Sequence, residues 1–111
     1  MARSILLVFT NATDGNDEEF NRWYDEVHMR EVIETPGFIG CERFQLSEAQ
    51  MDDTEERGHR YLAIYEIEGD PAAALKSLQE SAPKMQMTDT LSLEAGTSLF
   101  TQITARMAAS N

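Results

Sequence analysis

Cysteine is almost missing from this chain. Cys41 is the single one in 111 residues, which excludes an intrachain disulfide and any multi-thiolate metal site. Positive charge is also scarce: nine Lys and Arg stand against twenty Asp and Glu, a formal net charge of -11. Nucleic acids and anionic membranes are bound through basic patches, so neither is an expected partner. Long apolar runs are lacking too. The opening run, Ile5 to Phe9, is too short for the core of a secretion signal, and nothing later approaches a membrane span. Glycine is thinly spread, and Asn11 to Asn16 holds one glycine and no lysine, which argues against a phosphate cradle. The expectation is a soluble cytoplasmic protein that needs no metal and no cofactor.

What is present is centred on Asn16 to Phe44, which reads as a capped amphipathic helix, a Pro-Gly stop and a strand. Asn16 can cap the first turn while Glu19 reaches back to it, and the acidic Asp17, Glu18 and Glu19 suit the positive helix end. At about 100° per residue, Trp23, Tyr24, Val27 and Glu31 fall within about 60° of Phe20, with His28 on the flank. Arg22, Asp25, Glu26, Met29 and Arg30 fall outside this stripe. Pro36 biases Thr35 away from helix and Gly37 permits the turn into Phe38.

In chain order, Ser4 to Thr10 reads as a first strand, and the helix runs from Asn16 to about Glu34. Phe38 to Leu46 is a second strand, placing Phe38, Gly40, Glu42, Phe44 and Leu46 on one face and Ile39, Cys41, Arg43 and Gln45 on the other. Ser47 to His59, with Glu48, Asp52, Asp53, Glu55 and Glu56, is an exposed connection. Tyr61 to Ile67 alternates as a third strand. Asp70 and Pro71 open a second helix running to about Ser81. Lys84 to Gly96 reads either as a short helix or segment over a hydrophobic opening, or as a plain loop. Thr97 to Ala105 is the last strand, followed by a frayed tail.

This βαββαβ order predicts one α+β domain over residues 1–111, a ferredoxin-like four-stranded antiparallel sheet with both helices on one face. Strands one and three are apolar on both faces, so the open face is expected to bury itself against a second copy. The result is a homodimer, either stacked sheets or a closed α+β barrel. Fold alone leaves the function open. RNA-binding domains of this shape need a basic aromatic sheet, and metal chaperones need paired cysteines, both missing here.

Asn21, Arg22, Trp23, Tyr24, Asp25, His28, the Pro36-Gly37-Phe38 turn and the strand Tyr61 to Glu66 together resemble the EthD-like members of the dimeric α/β-barrel superfamily. The resemblance implies a dimer with an apolar pocket between helices and sheet, and often a histidine that moves a proton on a bound ring or enol. It implies no cofactor. Relatives also include cofactor-free and haem-dependent monooxygenases and non-catalytic accessory proteins. The second helix here lacks the histidine that usually holds haem iron.

On this basis His28 is the expected general acid/base, because an imidazole titrates near neutrality. Asp25 is expected to orient it, and Tyr24 and Tyr65 to stabilise developing charge. Trp23 and Val27 would wall the pocket. Glu31 is either a solvated edge residue or a carboxylate acting with His28; Arg43 pairs with it or binds an acidic substrate. Tyr61 joins the substrate contacts if its strand face looks toward the helices rather than the partner. The substrate expected is a small hydrophobic aromatic or polycyclic carbonyl compound undergoing isomerisation, cyclisation or a lyase reaction. The competing reading of His28 is an ordinary helix histidine bonded to a carboxylate or water.

Overall fold

The computed structural model describes residues 3–52 and 57–110. The elements are β1 (Ser4–Thr10), α1 (Asp17–Trp23), a π-helical turn (Tyr24–His28), α2 (Met29–Ile33), β2 (Phe38–Gln45), β3 (Tyr61–Ile67), α3 (Pro71–Ser81) and β4 (Gly96–Thr101). The strands form one antiparallel sheet in the order β2-β3-β1-β4. That is the ferredoxin-like α+β arrangement expected from the βαββαβ order. No helix among the described residues is long and apolar enough to cross a membrane.

Alternation decides which side chains meet the helices. On β3, Tyr61, Ala63, Tyr65 and Ile67 are all buried, opposite Thr10, Val8, Leu6 and Ser4 of β1. They pack with Phe20, Trp23, Tyr24, Val32 and Ala74, so both helical segments share one face of the sheet. The third strand's tyrosines thus look toward the helices. On the other face Ile5, Leu7, Phe9, Leu62 and Ile64 are half-exposed, flanked by exposed Phe44 and Phe100.

Several local expectations change. Asn16 holds the cap position, yet its side chain makes no capping bond and instead donates to Thr13 Oγ1 at 2.7 Å. Asp70 does cap α3, accepting from the Ala72 amide at 3.1 Å. The face assignment along β2 fails at its start. A bulge between Phe38 and Gly40 adds one residue, so Phe38 joins Cys41 and Arg43 on the helix side while Ile39 turns outward, 59% exposed. β4 ends at Thr101, four residues before the expected Ala105. The 47–59 connection is exposed at Ser47 to Asp52; the part of it at 53–56, with Asp53, Glu55 and Glu56, lies outside the described residues.

Gly37 allows the first helix to turn back into β2. Its φ is 98°, and a Cβ there would lie 2.8 Å from Ala74 Cβ, so this glycine serves both the turn and the close approach of α3.

Candidate functional site

The π-helical turn is what assembles the site. A turn closed by wider hydrogen bonds adds about one residue to the helix, rotating everything after it back by one step of about 100°. Val32, about 120° from Phe20 by α-helical spacing, comes to within about 20° and is buried, 3% exposed. The same rotation brings His28 from the flank onto the inner face, while Glu31 moves out toward the flank. His28 stacks on Trp23, with ring centroids 4.6 Å apart and planes 16° from parallel. Its edge meets Tyr24 at 5.0 Å.

His28 Nδ1 faces Glu31 Oε1 at 3.5 Å, close enough for charge attraction but without hydrogen-bond geometry. Both atoms are buried and otherwise without a partner, although the two side chains remain 18% and 23% exposed. Burial lowers the His28 pKa from its ordinary value and the Arg43 charge adds to this, opposed by Glu31. The imidazole is therefore mainly neutral at pH 7 and able to accept a proton.

The chain between α3 and β4 covers this pair. Gln86 accepts at its carbonyl from Trp23 Nε1 (2.9 Å) and donates its amide to Glu31 Oε2 (2.8 Å). The segment expected as either a cover or a loop is thus a strap across the helix. Met85 packs on the core and Thr90 is buried, 2% exposed.

Arg43 organises a second layer. Its guanidinium lies 4.2 Å from the centre of the Tyr24 ring, a cation-π contact. It donates to Asp25 Oδ1 at 2.6 Å and Asn21 Oδ1 at 2.8 Å. Asn21 donates on to the Tyr61 hydroxyl at 3.3 Å, and that hydroxyl donates to Asp17 Oδ2. Asp25 is therefore held by Arg43, which corrects its expected role of orienting His28; the carboxylate that faces His28 is that of Glu31. Arg43 does not pair with Glu31. The cleft of about 400 Å³ beside Arg43 and Tyr61 is lined further by Asn21, Asp25, Phe44 and Gln45, not by His28.

The expected open space between helix and sheet is filled by Phe20, Tyr24 and Tyr65, all fully buried. Tyr65 donates its hydroxyl to the Tyr24 hydroxyl at 2.9 Å. Burial pushes Tyr24 up to about 12 and Tyr65 higher still, and raises Cys41 to about 11. Trp23, Tyr24 and Glu31 touch or face His28 along the helix, while Val27 packs against the core; Tyr61 and Arg43 sit one layer away. Gln86 escaped the sequence reading because it acts through its backbone, which no residue type announces. Its one hint was the mixed apolar and polar stretch KMQM.

Neither a known family model nor a curated protein sequence matches the chain. Solved structures do match. A dimeric ferredoxin-like protein from an uncultured marine organism superposes with a TM-score of 0.61 at 12% identity, covering 98% of this chain and 95% of that one. The heme degrader MhuD of Mycobacterium tuberculosis, with two hemes bound in its active site, gives 0.58 at 14% identity over 96% and 99%. SnoaB, a cofactor-independent oxygenase from Streptomyces nogalater, gives 0.55 at 17% identity over 96% and 95%. At these identities the likeness establishes the ferredoxin-like α+β fold.

Proposed function

We propose that this protein is a cofactor-independent enzyme that moves a proton on a hydrophobic aromatic or polycyclic carbonyl compound, with His28 as general acid/base. The reading is carried by the facing of His28 Nδ1 and Glu31 Oε1, buried, 3.5 Å apart and unbonded. Buried polar atoms ordinarily find partners, and a pair held short of bonding beside a neutral imidazole suits proton transfer. His28 takes a proton from the carbon next to the carbonyl, and the electron pair moves onto the carbonyl oxygen as an enolate. Returning the proton to another carbon completes an isomerisation. Attack of the enolate carbon on a second carbonyl of the same molecule, with the proton passed to the new alkoxide, completes a cyclisation. Expulsion of a β-substituent, which leaves with the proton, completes a lyase step. Trp23 and Val27 wall the site and Glu31 orients the imidazole. Tyr24 and Tyr65, bonded to each other, support the ring cluster from beneath, and Arg43 holds Tyr24 from the sheet side.

The apolar open face of the sheet supports a homodimer, in which Ile5, Leu7, Leu62 and Ile64 meet their counterparts. Burying such residues contributes roughly 25 cal/mol per Å² of apolar surface.

The test is exchange of the α-protons of α-tetralone with deuterated water, followed by proton NMR. Catalysed exchange in the native protein that falls by about 10²-fold or more in His28→Gln supports the reading. Equal exchange in both proteins removes His28 from the mechanism. A second reading, cofactor-free oxygenation through the same enolate, is favoured by the oxygenase among the fold neighbours. Consumption of dissolved oxygen during turnover distinguishes it.

A further inference from the structure

The strap over His28 is anchored at both ends and tied in the middle by one residue. Behind it, residues 82–84 form a 3-10 turn and the Met85 amide donates to the Ala82 carbonyl at 3.1 Å. Ahead, Leu91 bridges Ala12, and the Thr13 amide donates to the Thr90 carbonyl at 2.7 Å. Between these anchors Gln86 makes the two bonds to the helix, at Trp23 Nε1 and Glu31 Oε2. Gln86, Met87 and Asp89 are exposed, so the span adds little to the core beyond Met85. Trp23 and Glu31 touch or face the His28 ring from two sides, and Tyr24 meets its edge. Gln86 thus offers one donor and one carbonyl to the groups a ligand at His28 would use.

We infer that the strap is a substrate-mimicking lid and that the site beneath it takes α-hydroxy ketones. The inference rests on the proposed role of His28. In Gln86 the amide nitrogen and the carbonyl oxygen are joined through two carbons, Cα and the carbonyl carbon. An α-hydroxy ketone joins its hydroxyl and carbonyl oxygens through two carbons in the same way. Its hydroxyl donates to Glu31 Oε2 and its carbonyl accepts from Trp23 Nε1, replacing both strap bonds. The carbon carrying the hydroxyl also carries the C–H made acidic by the carbonyl. A simple ketone supplies one of the two bonds and leaves Glu31 Oε2 without its donor once the strap has moved.

Phenacyl alcohol and acetophenone share a ring and a carbonyl and differ by the α-hydroxyl, so calorimetric titration of the native protein with each tests the inference. Phenacyl alcohol is expected to bind about tenfold tighter, as a hydrogen bond to a charged group contributes. The lid itself is tested with Gln86→Pro, which deletes the amide that holds Glu31. Met85, at φ -77° and ψ 148°, already has a conformation accepted before proline. Trp23 is the one tryptophan, so acrylamide quenching reads the cover directly. In Gln86→Pro quenching is expected to rise about twofold, as a local opening becomes easier, and phenacyl alcohol to bind more tightly. Equal affinity for the two ketones, or no binding of either, overturns the inference, as does unchanged quenching in Gln86→Pro. None of these readings needs turnover, so absent proton exchange would overturn the catalytic proposal alone.

Discussion

The indole of Trp23 lies flat on the imidazole of His28, five residues further along the helix, with centroids 4.6 Å apart. Residues at this spacing diverge on an α-helix; the π-helical turn between them brings the rings together.

That stack gives an optical report on the titration of His28. A protonated imidazole quenches a stacked indole, so Trp23 emission is expected to fall on acidification with a midpoint below 6.5, since burial lowers the His28 pKa. In His28→Gln the pH-dependent step should vanish. A midpoint above 6.5 would contradict the environment described. The linked stability has a definite sign: below the unfolded pKa the unfolded chain binds the proton more readily. The His28 contribution is therefore intact above about 6.5 and lost as pH falls through the region beneath it.

The tyrosines make the converse prediction at alkaline pH. Tyr24, Tyr61 and Tyr65 are all raised, chiefly by burial, and they are the three tyrosines of the chain. Absorbance at 295 nm should show no phenolate step near pH 10 until the fold opens. Above the unfolded value of about 10 the unfolded chain loses protons first, so stability declines as pH rises. Three phenols titrating freely at 10 would contradict the packing.

Tyr24→Phe leaves the Tyr65 hydroxyl, a buried donor, without its acceptor. The expected cost is about 1–3 kcal/mol in chemical denaturation. Adding Tyr65→Phe should recover part of that loss, because the double variant leaves no orphaned donor. Strict additivity of the two changes would show that the 2.9 Å contact is not an energetic bond.

Gly37→Ala meets two obstacles, a φ of 98° and a Cβ position 2.8 Å from Ala74 Cβ. The cost expected is about 2–4 kcal/mol, from the left-handed conformation and the overpacking together. Ala74→Gly in the same chain should relieve the second part only. A stability unchanged within about 0.5 kcal/mol would refute the close approach of α3.

Ile64→Lys tests the homodimer. It places a charge at the centre of the open sheet face while leaving the helix-side core untouched. Sedimentation should show a dimer for the native chain and a monomer for the variant, with the same circular dichroism. A native monomer at micromolar concentration would leave the open face without its proposed partner.

The resemblance drawn from Trp23, Tyr24, His28 and the Pro36-Gly37-Phe38 turn led to the correct fold. Local chemistry was enough for this: alternation along Tyr61 to Ile67, the Asp70-Pro71 start of α3 and the glycine after Pro36 each act within a few residues. The candidate site was legible as a set of helix residues, Trp23, Tyr24, Val27, His28 and Glu31, because they lie on one element. Their pairing was not. Asp25 and Glu31 both lie three residues from His28, and the choice between them depended on Arg43, which arrives from β2 and takes Asp25.

By itself, then, the sequence determined the order of elements, the buried alternation of β3 and the histidine-bearing helix, since hydrophobic period and turn chemistry are short-range properties. The tertiary structure decided what crosses between elements: the bulge that turns Phe38 inward, the π-helical turn that turns His28 inward, and the backbone of Gln86 on Trp23 and Glu31. Register shifts are chosen by the packing of distant surfaces, and a main-chain amide is the same in every residue but proline. Neither leaves a mark in the identity of the residues that carry it.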